Sequence, residues 1–97
     1  MVTKPSLGAV VIGRNEGARL ETCLRSVLRD ISDVVYVDSG SIDRSMAVAQ
    51  DLRVHVVQLE MGKPFTAARA RNAGFERLLR LNKRLAFVQF IDGDCEL

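Results

Sequence analysis

Four short apolar runs alternate with stretches of helical period, and this alternation constrains the fold more than any other feature. The runs are Leu7 to Gly13, Asp33 to Val37, Val54 to Leu59 and Ala86 to Ile91. Each has the length of a strand and is rich in β-branched or aromatic residues. The implied order is β-α-β-α-β-α-β. Strands joined through helices need crossovers, and right-handed crossovers give a mainly parallel sheet covered by helices on both faces. The near-continuous apolar character of the first run suits a strand buried on both sides. The expectation is therefore an α/β fold: three layers, α/β/α, around a mainly parallel four-stranded sheet. The chain has 97 residues, enough for one small domain with a real core.

The first helix has the clearest period. Leu20, Cys23, Leu24, Val27, Leu28 and Ile31 fall on one face, while Glu21 and Arg25 pair at i, i+4 on the wet side. Asn15 fits the N-cap of this helix. Ser41 fits the cap of a short second helix, with Asp43 in its first turn and Ile42, Met46 and Ala49 on its buried side. The third helix is expected over residues 64–81. Pro64 opens it, Asn82 stops it, and Ala68, Asn72, Phe75, Leu78 and Leu79 form its inner stripe. Arg71 falls inside that stripe, where a charge is costly unless paired, and a guanidinium fork suits a phosphate or a carboxylate such as Asp92. Gly74, one turn on, lets this helix approach a neighbour closely. His55 and Gln58 mark the third strand as an edge, with His55 a surface residue.

Composition excludes several classes. Net charge is +2, with basic and acidic residues interspersed and no basic run carrying aromatics, so nothing points to nucleic acid. The hydrophobic share of 47% and charged share of 27% are those of a globular domain. No apolar run approaches the length of a membrane span or a signal peptide. Cys23 and Cys95 match no zinc spacing and make no disulfide framework, so the default compartment is reducing and cytoplasmic. Lys63 reads as a solvated loop lysine.

Polar residues gather where parallel sheets bind ligands, outside the carboxyl ends of the strands. The first strand ends at Asn15-Glu16, the second at Asp38-Ser39-Gly40 and the fourth at Asp92-Gly93-Asp94. Asp38 offers an acceptor for a base or ribose donor. A strand that runs into Asp-Gly-Asp can aim both carboxylates to one side, and two close carboxylates call for a cation. Magnesium-like ions are commonly shared between one or two carboxylates and substrate phosphates.

These pieces together resemble the nucleotide-binding half of a family 2 glycosyltransferase, whose fold is called GT-A. The resemblance rests on Val10-Val11-Ile12 running to Asn15-Glu16, and on Leu20, Cys23, Leu24 and Ser26 of the first helix. It continues through Val37-Asp38-Ser39-Gly40-Ser41-Ile42-Asp43, Ala70-Arg71-Asn72-Ala73-Gly74 and Phe90-Ile91-Asp92-Gly93-Asp94. It implies a Rossmann-like half-fold and a nucleotide-diphosphate sugar donor. It also implies a divalent metal, manganese or magnesium, and a saccharide or lipid-linked acceptor. Asp38 would bond the nucleobase, with Asn15, Glu16 and Ser39 lining the same site. Arg71 would stand by the donor pocket, Asp92 would contact the ribose or sugar, and Asp94, with Asp92, would hold the metal. Transfer would invert the anomeric centre, with the base expected beyond Leu97.

On this reading residues 1–97 are one nucleotide-binding domain that stops just after Asp-Gly-Asp. Two other readings fit the same residues. One is a non-catalytic nucleotide-binding or assembly module. The other is a haloacid-dehalogenase-type phosphatase, which would carry its Asp-x-Asp on the first strand rather than the last. An apolar fourth strand with nothing beyond it predicts a homodimer through that edge. The expected location is the cytoplasm, with a peripheral position at the inner membrane face as the other placement.

Overall fold

A computed structural model of the chain describes residues 7–41, 43–59 and 66–93. The elements follow the expected order: β1 (Leu7–Gly13), α1 (Ala18–Leu28), β2 (Asp33–Asp38), α2 (Ser45–Asp51), β3 (His55–Gln58), α3 (Ala67–Leu81) and β4 (Phe87–Asp92). All four strands are parallel, in the order β3-β2-β1-β4. The chain thus steps outward from β1 to β3 and then returns to the other side of β1 with β4. The crevice between β1 and β4 is the point where the winding reverses.

Alternation along the strands supplies two cores. Ala9, Val11, Val34, Tyr36 and Ile91 face α1 and α2, against Leu20, Cys23, Leu24, Val27 and Ala49. Val10, Val35 and Val37 face α3, against Ala70 and Leu78. The three-layer expectation holds. The α1 stripe also holds: Leu20, Cys23, Leu24 and Val27 are fully buried and Ile31 nearly so. Each such aliphatic side chain contributes about 1.5–3 kcal/mol over the exposed state. A side-chain N-cap contributes about 1 kcal/mol, and α1 has none. Packing, not capping, holds this helix. Glu21 and Arg25 pair at 3.2 Å on its exposed face.

Both predicted N-caps are corrected. Gly17, not Asn15, occupies the N-cap of α1. Asn15 lies at φ 52, in the left-handed region that asparagine tolerates, and its side chain reaches another loop. Arg44, not Ser41, precedes α2, and Asp43 stands before the helix, where it accepts from the Ser45 N–H. Ile42 and Pro64 lie outside the described residues.

The inner stripe of α3 is also corrected. The buried row is Ala70, Gly74 and Leu78, whereas Ala68, Asn72, Phe75 and Leu79 are exposed. A Cβ on Gly74 would overlap Val10 and stand 2.9 Å from Val37 Cγ2. The helix therefore lies directly on the sheet at Ala70 and Gly74, with Leu78 buried one turn on, while Phe75 and Leu79 stand to one side. Arg71 is accordingly exposed, not inside a buried stripe. Thr66 caps the helix by accepting from the Arg69 N–H, and Asn82 closes it as expected. Leu78 packs towards Gly8, and the Asn82 amide donates to Asp33, so α3 ends where β1 and β2 begin. Its first turns, which carry Arg71, stand at the carboxyl end of the sheet.

Candidate functional site

Register brings the predicted acidic ends to one level. Gly13 pairs with Asp38 across β1 and β2, and Ile12 pairs with Asp92 across β1 and β4. Outside these ends lies a cavity of about 410 Å³. Ile12, Gly13, Arg14 and Glu16 line it from β1, Ser39 from β2, and Asp92 and Gly93 from β4. It occupies the crevice where the winding reverses, the place where open parallel sheets bind ligands. A larger hollow of about 610 Å³ lies between α1 and α2, lined by Ala18, Val48 and Leu52 among others. The smaller cavity is the chemical one, for the following reason.

Among the described residues, two buried side-chain oxygens lack a hydrogen-bond partner, Glu16 Oε2 and Ser39 Oγ. Both residues line the cavity at the carboxyl edge, and neither lines the larger hollow. Glu16 Oε2 does lie 3.2 Å from Arg19 Nη2, but in an ion-pair geometry that makes no hydrogen bond, and the arginine is largely exposed. Such an exposed pair contributes little. Ser39 is only 8% exposed. An unsatisfied buried oxygen costs about 1–3 kcal/mol, so Ser39 Oγ, and to a lesser degree the ion-paired Glu16 Oε2, make this wall the candidate place for ligand hydrogen bonds.

Glycine shapes this wall. The Gly93 N–H donates to the Ile12 carbonyl at 2.8 Å, and a Cβ on Gly93 would stand 3.2 Å from that oxygen and 3.5 Å from Glu16 Cγ. The glycine between the two aspartates is thus where β4 closes onto the end of β1. Behind it, the Cys23 Sγ–H donates to the Asp92 carbonyl at 3.6 Å. The Asp92 side chain is exposed into the cavity mouth.

Asp38 differs from expectation. It ends β2 as predicted, but it is fully buried. Its Oδ1 accepts from the Tyr36 hydroxyl at 2.8 Å, and its Oδ2 accepts from the N–H groups of Gly40 and Ser41 at 3.2 and 2.9 Å. Three internal donors hold the carboxylate, because the chain turns back over it immediately after the strand. Burial first, and then the bond to Asp38, push the Tyr36 hydroxyl well above its ordinary value, so it remains a neutral donor.

The structure therefore brings together Glu16, Ser39 and Asp92, with Asp38 directly behind them. Asn15 is turned away from the cavity, and Arg71 does not line it. Asp94 and Lys63 lie outside the described residues. Sequence reasoning missed Arg14 as a lining residue and Tyr36 as the brace of Asp38. Tyr36 and Asp38 stand two apart on one strand, hence on one face, and that spacing was a usable signal. The described residues contain no group of three His, Cys, Asp or Glu side chains able to hold a metal by themselves. Of the cavity's two carboxylates, Asp92 at the end of β4 is of the type that shares a hard cation with phosphate oxygens and water. No helix among the described residues is long and apolar enough to cross a membrane.

Fold and site together define an α/β, Rossmann-like domain with a polar cavity at the reversal point of a parallel sheet. Residues 9–97 match the family described as Glycosyl transferase family 2, and the chain belongs to that family. It is 37% identical over 57 residues to an uncharacterized glycosyltransferase of Rickettsia bellii (strain RML369-C), a match covering 59% of this chain and 19% of that protein. It is 35% identical over 51 residues to an uncharacterized glycosyltransferase of Rickettsia felis (strain ATCC VR-1525 / URRWXCal2), covering 53% of this chain and 18% of that protein. The matched segment is thus about a fifth of either relative's length. Family membership sets aside the phosphatase alternative.

Proposed function

We propose that this chain is the donor-binding half of a metal-assisted, inverting glycosyltransferase that takes a nucleotide-diphosphate sugar. The observation that carries the reading is the pair of unsatisfied buried oxygens, Glu16 Oε2 and Ser39 Oγ, on the wall of the carboxyl-edge cavity. A nucleoside supplies the N–H and O–H donors that such oxygens lack. Asp38 acts from behind in this reading. It fixes the backbone of residues 39–41, and a direct bond from its remaining lone pair to the base requires that turn to shift. Asp92 would face the ribose or sugar and, with Asp94, would hold the metal. Manganese or magnesium held there would supply Lewis-acid neutralisation of the departing diphosphate. In this reading Arg71, exposed on the first turns of α3, would meet the diphosphate from outside the cavity lining, to which Arg14 belongs. The acceptor would be a saccharide or a lipid-linked group, and none of the described residues is assigned as the catalytic base.

Calorimetric titration of UDP and GDP, with and without manganese, tests this reading. Metal-dependent binding of one of them is expected. Ser39→Ala should weaken it about tenfold, equivalent to about 1.4 kcal/mol. Binding that ignores both the metal and Ser39 overturns the assignment. Tight metal-dependent binding without sugar transfer by a longer chain would instead make this a binding module.

A further inference from the structure

Two loops meet beside the cavity, residues 14–17 after β1 and residues 39–41 and 43–44 after β2; Arg14, Glu16 and Ser39 line it, while Gly17, Asp43 and Arg44 line the hollow between α1 and α2. Four side chains tie them together, and none of the four lines the cavity. The Asn15 N–H donates to Ser41 Oγ at 2.9 Å, and the Asp43 N–H donates to Asn15 Oδ1 at 3.3 Å. The Gly17 N–H donates to Ser45 Oγ at 3.3 Å. The Ser45 hydroxyl in turn donates to Asp43 Oδ1 at 2.6 Å, and the Ser45 N–H donates to the same oxygen at 2.9 Å. Ser45 is completely buried. These bonds hold the Asp43 carboxyl below the usual carboxylate range, chiefly through the Ser45 hydroxyl.

The arrangement brackets Glu16. The residue before it donates a backbone N–H to Ser41 of the other loop, and the residue after it donates one to Ser45, the first residue of α2. Glu16 is one of the two cavity residues with an unsatisfied buried oxygen, and Ser39, the other, sits at the base of the loop that supplies Ser41. We propose that Asn15, Ser41, Asp43 and Ser45 form a clasp that aims Glu16 at the nucleoside end of the donor, acting as positioning residues for the family's site. This rests on the nucleotide reading above. The clasp acts on the nucleoside wall, whereas the diphosphate and metal are held from β4. Loosening it should therefore weaken nucleotides while leaving binding of inorganic diphosphate with manganese unchanged.

The discriminating experiment is a double-mutant cycle read by calorimetry. The 97-residue chain is titrated with UDP, GDP and inorganic diphosphate, each with manganese. Ser41→Ala should weaken the preferred nucleotide about five- to tenfold and leave inorganic diphosphate within twofold, and Ser41→Thr should restore affinity. Asn15→Gly keeps the left-handed backbone but removes the carboxamide acceptor, so it serves as a second, independently folded variant with the same expected pattern. In a Glu16→Ala background neither change should cost anything further, because coupled residues are non-additive. Losses that add fully to that of Glu16→Ala overturn the clasp, as does equal weakening of nucleotide and inorganic diphosphate. If the unmodified chain binds neither UDP nor GDP, the nucleotide reading itself fails and the clasp's role fails with it. If it binds and the variants match it, only the clasp fails.

Discussion

At the scale of single residues, the pair Tyr36 and Asp38 decides how the ligand edge is built. Removing the phenolic hydroxyl by Tyr36→Phe leaves Asp38 Oδ1 buried without that donor. The expected cost is about 1–3 kcal/mol in urea unfolding, the usual penalty for an orphaned buried acceptor. A second signature lies on the alkaline side. The folded-state pKa of Tyr36 is raised above its ordinary value of 10.0, so its contribution is complete below pH 10 and declines as pH rises beyond it. The unmodified chain should lose stability in that window more steeply than Tyr36→Phe. Equal slopes would show that this hydroxyl is not the sensitive group. Asp38 itself was legible as the end of an apolar strand. Its burial was not, because the Gly40 and Ser41 amides that enclose it belong to a turn whose path the residue types alone leave open.

At the scale of elements, the strands and α1 were legible because their patterns are unambiguous. Six apolar residues at helical spacing admit one face, and runs of Val and Ile admit one period. The third helix was not legible in the same way. The expected stripe holds at Leu78 but not at Ala68, Asn72, Phe75 or Leu79; the row on the sheet runs through Ala70, Gly74 and Leu78. Close approach to the sheet selects the smallest side chains, and hydrophobicity alone does not register that preference. Gly74→Ala tests this packing. An alanine gains about 0.5–1 kcal/mol in helix propensity, but overpacking against Val10 and Val37 costs about 1–3 kcal/mol. A net loss of about 1–2 kcal/mol is expected in chemical denaturation. Unchanged or increased stability would mean that α3 does not lie directly on the sheet. The two misplaced caps share one cause: Asn15 and Ser41 have capping chemistry, but each is used across the two loops rather than on its own helix.

At the scale of the whole molecule, β3 and β4 are the edges of the described sheet, and they differ. β3 is four residues long and carries exposed His55 and Gln58, features that blunt an edge. β4 is six residues long, contains no proline or lysine, and exposes Phe87 at 62% and Phe90 at 44%. Unpaired backbone beside exposed aromatics favours pairing with a second copy. Sedimentation across a concentration series should show a monomer–dimer equilibrium for the 97-residue chain, weakened by Phe90→Lys; a strict monomer at millimolar concentration would exclude that association. The location of the ligand cavity was legible at this scale from the polar strand ends, but its two distinguishing oxygens, on Glu16 and Ser39, required coordinates. The central claim is that the crevice between β1 and β4 binds a nucleotide diphosphate. Amide chemical-shift mapping during titration with UDP or GDP and magnesium tests it most directly. Shifts concentrated on residues 12–17, 39–41 and 91–93 are predicted. Shifts centred on the hollow between α1 and α2, around Ala18, Val48 and Leu52, or no saturable shifts with either nucleotide, would contradict it.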